Sequence, residues 1–299
     1  MKKLLSIILA TATILSLAAC SSKTTPEKGN TSTTGSASSE ITTVKEGTLT
    51  VATSPDFAPC EFYAIGSDGK PTLAGYDISL AQYIANYLHL KLDIIPMDFD
   101  GVIMELSAGN VDIGVSGLAP DPKRADSMDF SDIYYSGKQS LVTVKKNQNK
   151  WKQLSDLNQA NTSIGVQTGS VQQDLATKNT PKADIVKLAK VTDIISELLS
   201  GKLDAGYVST DVAKFYQNNY PNLYIAFDVP YKYKGSAVGV TKGNKALLDG
   251  VNRAIAVALK DGSMDKFVAK ANEQTSGKIY EGMLNSSGNP VASKASSAG

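Results

Sequence analysis

Few side chains in this 299-residue sequence could make or break bonds, and their spacing assembles no reaction centre. His89 is the single histidine, so neither a histidine metal cluster nor a Ser-His-Asp triad can be built. No Walker-type phosphate loop and no dinucleotide fingerprint occurs. Cys60 follows Pro59 and reads as a buried thiol rather than a nucleophile. No catalytic residue, metal or cofactor is therefore expected. What remains is binding chemistry. Thr168-Gly169-Ser170-Val171 lies between a strand-like and a helix-like segment, so its N–H groups are helix-terminal donors suited to an anion, and Gly169 permits close approach. Ser170 reads equally well as a plain N-cap. Asp56 and Glu61 could pair with a cation, although Glu61 has a structural reading of equal standing.

These residues are set among alternating strands and helices. Residues 48–53 (TLTVAT) form a strand-like run, and 77–88 place Ile78, Ala81, Ile84, Ala85 and Leu88 on one helical stripe. Strand-like 91–96, helix-like 99–108 and strand-like 111–116 complete a βαβαβ run. Strand-like segments at 140–145, 163–167, 185–188 and 202–208 then alternate with helix-like 170–177, 192–199 and 211–218. A last strand-like segment at 236–240 and helices at 245–260 and 263–271 close the chain. The pattern predicts an α/β fold of two lobes, each a mostly parallel sheet flanked by helices. The final segment returns to the first lobe, so the chain crosses twice, near 135–138 and 230–235. Such a pair of crossings is a hinge, and the cleft beside it is the natural ligand site.

The ends of the chain carry different information. Lys2 and Lys3, an apolar run over 4–17 and Leu17-Ala18-Ala19-Cys20 have the layout of an export signal with a lipobox. Residues 1–19 are then a signal peptide, and Cys20 is the lipidated first residue of the mature chain. Residues 20–43 are rich in Ser, Thr and Gly and read as a disordered tether; 285–299 read as a disordered tail. Loss of Lys2 and Lys3 takes the formal charge from +1 to −1, which leaves no basic field for nucleic acid. Cys60 is then the only cysteine in the body, so no internal disulfide can form. The body divides into lobe 1, residues 44–136 and 236–284, and lobe 2, residues 137–235.

Several blocks occur in a fixed order: Phe57-Ala58-Pro59-Cys60-Glu61-Phe62, Gly75-Tyr76-Asp77-Ile78, Met97-Asp98-Phe99-Asp100, Gly109-Asn110-Val111-Asp112, and Asp121-Pro122-Lys123-Arg124 with Asp129-Phe130-Ser131. Gly165-Val166-Gln167-Thr168-Gly169-Ser170 and Gly201-Lys202-Leu203-Asp204-Ala205 follow. This order resembles the polar amino-acid-binding proteins of ABC importers, solute-binding protein family 3. The resemblance implies a type II periplasmic-binding-protein-like fold and a receptor that binds a polar or cationic amino acid. It also implies delivery to the ABC permease in the membrane, with the receptor monomeric and held at the outer face by the lipid on Cys20.

The resemblance also implies roles for particular residues. Arg124 stands where the family grips the ligand's α-carboxylate, a task suited to the paired donors of a guanidinium. Gly169, Ser170 and Val171 would complete that site. Phe57 would form one wall, and Ser116, Gly117 and Ala119 would line the loop after a strand. A hydroxyl residue is usual at the Ala119 position. Ser209 stands where many members carry an aspartate for the α-ammonium, and Asp211 is the substitute within reach. Two other readings stay open: a cyclohexadienyl or arogenate dehydratase-like enzyme on the same fold, and a sensor lipoprotein without transport.

Overall fold

The computed structural model describes residues 41–65, 70–233 and 235–275. The expected signal peptide, Cys20, nearly all of the tether and the tail at 285–299 lie outside the described residues. The chain opens with β1 (Thr48–Thr53), β2 (Asp56–Phe57), β3 (Glu61–Ile65) and β4 (Pro71–Ala74). Helix α1 (Tyr76–Tyr87), β5 (Lys91–Pro96), α2 (Phe99–Ala108), β6 (Ile113–Gly114) and β7 (Met128–Ser136) follow. Then come β8 (Gln139–Val144), α3 (Leu154–Leu157), β9 (Ser163–Gln167), α4 (Val171–Asn179), β10 (Asp184–Leu188), α5 (Val191–Ser200), β11 (Ala205–Ser209), α6 (Thr210–Asn219) and β12 (Leu223–Val229). The chain returns through β13 (Gly235–Thr241), α7 (Lys245–Lys260) and α8 (Ser263–Thr275).

Two five-stranded sheets result, ordered β5-β1-β6-β13-β7 in the front lobe and β10-β9-β11-β8-β12 in the rear lobe. In each, four strands run one way and a single strand opposes them, β13 in front and β8 behind. The opposing strand is in both cases the first one laid down after a crossing. β1 is buried along its whole length, as a central strand covered on both faces must be. Helix α2 packs on the front sheet so closely that a Cβ on Gly114 would lie 2.5 Å from Leu106 Cδ1. Among the described residues, no helix is long and apolar enough to cross a membrane.

The observed elements depart from the sequence-based ones at several points. The strand expected over 111–116 is paired only at Ile113–Gly114, because the chain leaves the sheet to build the loop carrying Ser116 and Gly117. The strand expected from 202 begins at Ala205, after a turn at Gly201 with φ +80°. On α1 the buried stripe is Tyr76, Asp77, Leu80, Ala81, Ile84 and Ala85, with Ile78 and Leu88 only half-buried. Strands β7 and β12 and the small sheet β2-β3-β4 had not been anticipated.

Candidate ligand-binding cleft

A cleft between the sheets encloses about 660 Å³ of space free of atoms, its mouth included. It is lined from the front lobe, the rear lobe and both crossings. Its front wall begins with a polar network. Ser116 Oγ donates to Glu61 Oε1 at 2.7 Å and accepts from Ser54 N at 3.0 Å. Behind it, Asp77 accepts from Gly117 N at 2.8 Å and from Tyr134 OH at 2.8 Å. These bonds pin the loop after β6. Gly117, at φ +55°, lies so close to Phe57 that a Cβ would sit 3.1 Å from the ring. Phe57 and the glycine backbone thus form one continuous surface.

Burial dominates the electrostatics here. It pushes Asp77 up to about 6, against the pull of its Gly117 and Tyr134 bonds. Burial first, and the neighbouring Asp77 second, raise Glu61 well above the usual carboxylate range. Glu61 Oε2 is buried and meets no N–H or O–H donor among the described residues other than through the neighbouring acid Asp77, with which Glu61 shares a carboxyl–carboxylate hydrogen bond. Cys60 is a free, buried thiol with Sγ 2.7 Å from Tyr76 OH, and burial raises its pKa too. It lines the cleft as a neutral group.

Arg124 ends a one-turn helix, Pro122–Arg124, whose first turn is capped when Asp121 accepts from Lys123 N at 3.0 Å. Its Nη2 crosses the cleft and donates to Gly169 O at 2.8 Å. Its Nη1 is buried and, among the described residues, has no acceptor. The guanidinium carbon lies 5.9 Å from the Phe99 ring centroid, and desolvation lowers the group's pKa. Tyr231, from the second crossing, also lines the cleft with a buried hydroxyl that has no partner among the described residues.

The rear wall is made of helix ends. Ser170 caps α4 by accepting from Gln173 N at 3.2 Å, and Ser209 caps α6 by accepting from Val212 N at 3.4 Å. Asp211, in the first turn of α6, accepts from Tyr135 OH at 3.2 Å, and the Tyr135 ring stacks on Tyr76 with centroids 4.8 Å apart. Gln172 donates to Gln139 Oε1 at 2.7 Å. Asp56 of the front lobe also reaches this wall, accepting from Val191 N at 2.6 Å and Gln167 Nε2 at 3.2 Å.

Of the residues singled out from the sequence, Asp56, Phe57, Glu61, Ser116, Gly117, Ala119, Arg124, Val171, Ser209 and Asp211 line one cleft. Gly169 and Ser170 are not among the residues that line it, although Gly169 O accepts from Arg124 Nη2 at its edge. Gly169 N donates to Gln173 Oε1 at 3.1 Å and Ser170 N to Gln167 O at 3.2 Å, so both donors are taken by the chain. Val171, at the first position of α4, is the one of the three that lines the cleft. Tyr76, Phe99 and Gln167 line it as well. All three stand inside conspicuous sequence blocks without a side chain whose type alone points to a ligand. Tyr231 and Tyr135 come from the crossings, where no local pattern marks a wall. His89 stands away from the cleft, exposed at the end of α1 with φ +58°. Among the described residues no group of three or more His, Cys, Asp or Glu is arranged to hold a metal.

Two mixed sheets around a cleft, joined by two crossings and lined by Arg124 and by the acids Asp56, Glu61 and Asp211, define a two-lobed small-molecule binding protein. Residues 49–274 match the bacterial extracellular solute-binding proteins, family 3, and the chain belongs to that family. It is 28% identical to the arginine-binding extracellular protein ArtP of Bacillus subtilis, over 90% of this chain and 98% of that one. Among solved structures it resembles an amino acid ABC transporter substrate-binding protein, AbpA, from Streptococcus pneumoniae bound to L-arginine. The TM-score is 0.74 at 33% identity, covering 78% of this chain and 97% of that one. It also resembles the ancestral amino-acid-binding protein AncCDT-1, a precursor of cyclohexadienyl dehydratase. That match has a TM-score of 0.68 at 31% identity over 75% of this chain and 95% of that one.

Proposed function

We propose that the protein is the extracytoplasmic receptor of an ABC importer for an amino acid with a cationic side chain, of which L-arginine is the type. The observation that carries this reading is Arg124 Nη1, a buried charged donor with no acceptor among the described residues, in one cleft with the buried acid Glu61, which no cation faces among the described residues. A ligand with a carboxylate at one end and a cation at the other answers both. Arg124, Tyr231 and the Val171 amide would take the α-carboxylate. Ser209 and Asp211 would face the α-ammonium, and Glu61 would yield its proton and pair with the side-chain cation. Phe57 would lie against the stem.

Binding of this kind spans the two lobes, residues 44–136 with 236–284 and residues 137–235, so closure about the crossings completes the contacts. The arginine-binding relative and the arginine-bound neighbour support the ligand class. In this reading the receptor is a monomer, and the lipobox at Cys20 holds it at the outer face of the membrane for the permease. Calorimetry with three ligands tests the chemistry. L-arginine should bind, agmatine should fail for want of a carboxylate, and L-citrulline, its neutral isostere, should bind about a hundredfold more weakly. Equal affinity for arginine and citrulline would remove the cation from the proposal.

A buried carboxyl with a raised pKa, such as Glu61, is also what a general acid requires, which keeps one enzymatic reading in view. Incubation with prephenate or arogenate distinguishes the two. Product formation would replace the receptor by a dehydratase.

A further inference from the structure

We propose that Asp56 is the closure latch of this receptor: a front-lobe carboxylate that caps a rear-lobe helix and sets how long the closed state lasts. The inference rests on the reading of the cleft as one that closes about a ligand.

Three helices of the rear lobe begin near the cleft, and their caps differ in origin. Helices α4 and α6 are capped by their own serines, Ser170 and Ser209. Helix α5 has Lys190 at its N-cap position, and Lys190 supplies no side-chain acceptor. The acceptor comes instead from 135 residues earlier in the chain, where Asp56 Oδ2 takes the Val191 N–H at 2.6 Å. The same oxygen accepts from Gln167 Nε2 at 3.2 Å, and Oδ1 is held by Ser54 Oγ at 2.8 Å. Both oxygens are therefore committed to the protein, two of the three bonds crossing from one lobe to the other. A carboxylate at a helix N-terminus is favoured by the unpaired amides and by the helix dipole together.

Position reinforces the assignment. Asp56 borders the ligand cleft on one side and, on the other, an outer groove lined by Tyr63, Met97, Lys190 and Thr192. It is thus part of the wall that separates the ligand from solvent. When the lobes part, the bonds to Val191 and Gln167 break together, the wall opens and α5 loses its cap. The latch favours closure whatever ligand is inside, so it should act on residence time without altering preference.

The full-length protein and two variants test this. Asp56→Ala removes the acceptor. Val191→Pro removes the donor at the first helical position, where proline is tolerated, and Lys190 before it already has the extended backbone that proline requires. Stopped-flow dissociation and calorimetry with L-arginine, L-lysine and L-glutamine, together with X-ray scattering of free and saturated protein, supply the readouts. For each ligand that wild type binds, Asp56→Ala should raise the dissociation rate about ten- to a hundredfold, with little change in association. The rank order of ligands and the melting temperature of the ligand-free protein should stay as in wild type. Val191→Pro should weaken binding in the same uniform way, and the double variant should be no worse than Asp56→Ala. If Asp56→Ala spares L-glutamine and weakens only the cationic ligands, Asp56 is a ligand contact and the latch is overturned. A wild type that compacts on binding beside an Asp56→Ala that compacts and releases at the same rate overturns the latch alone. A wild type that binds none of the three, or binds without compaction, overturns the receptor reading and the latch with it.

Discussion

The front wall of the cleft carries its charge on side chains buried in a hydrogen-bonded network, whereas the rear wall presents the ends of helices. In front, Glu61 and Asp77 are fixed by Ser116, Gly117 and Tyr134 before any ligand arrives, and Asp121 caps the turn that carries Arg124. Behind, α4, α5 and α6 contribute amides, neutral glutamines and Asp211, and the charge that caps α5 comes from the front lobe. Sheet architecture is shared between the lobes, so the difference lies in what each hangs on it. A preorganised front wall should decide which ligand is held, because its desolvated groups are costly without the right partner. A rear wall of dipoles should decide how firmly the cleft shuts.

The sharpest way to break that contrast is at Arg124. Arg124→Ala is expected to cost about 2–5 kcal/mol of binding, because it leaves a ligand carboxylate desolvated without its partner. Calorimetry reads the loss, and circular dichroism checks that the fold survives. Near-normal affinity would move the carboxylate site to the rear wall and reverse the division of labour.

Glu61 sharpens the contrast through pH. Its pKa stands well above the carboxylate range, and a cation bound beside it would favour the ionised form. Binding then expels a proton, so affinity for L-arginine should rise with pH until the unliganded acid is itself ionised. Titrations in buffers of differing ionisation enthalpy should detect that proton for L-arginine and not for L-citrulline. Glu61→Gln should abolish the proton release and weaken arginine by about 1.5–3 kcal/mol. If the pH dependence persists in that variant, another acid holds the cation.

On the rear wall the corresponding substitution acts on stability. Ser170→Ala removes the acceptor for Gln173 N and the bond to Gln167 O, and should cost about 1 kcal/mol of unfolding free energy. Ligand preference should not change. Denaturant unfolding and a ligand panel check the two halves of that statement, and an altered preference would make the helix end a selector.

How far all this could be read from the sequence follows the same division. Strands β1 and β9 and helices α2 and α7 match their expected limits because their apolar residues are buried within one lobe, and β5, a half-exposed edge strand, matches too because it pairs with β1 along its whole length. Strand β7 escaped notice for a physical reason. Its register against β13 shifts twice, so buried Met128, Ser131 and Tyr134 fall three apart instead of two. Strand β12 shifts once against β8, between Ile225 and Phe227, though its aromatic and branched residues were a usable signal. In the site, Arg124 was legible only through the order of the sequence blocks around it, and Glu61 read as ligand partner or structural acid alike. The partner of Asp56 could not be read, since the bond to Val191 joins two lobes and belongs to no local motif.

The smallest expected effect is the most useful control on closure. Lys123 Nζ lies 2.8 Å from Asp174 Oδ2, a second tie across the lobes beside Arg124, but both groups stand largely in solvent. Water screens such a pair, and holding two flexible side chains offsets part of its attraction. Lys123→Ala should therefore change the dissociation rate by less than about threefold, and the change should vanish in about 0.5 M salt. Asp56 makes its cross-lobe bonds to a helix amide and a buried glutamine, so the effect of Asp56→Ala should survive the same salt. A large, salt-resistant effect at Lys123 would mean that bridging the lobes is sufficient wherever it occurs, and that the helix cap has no special standing.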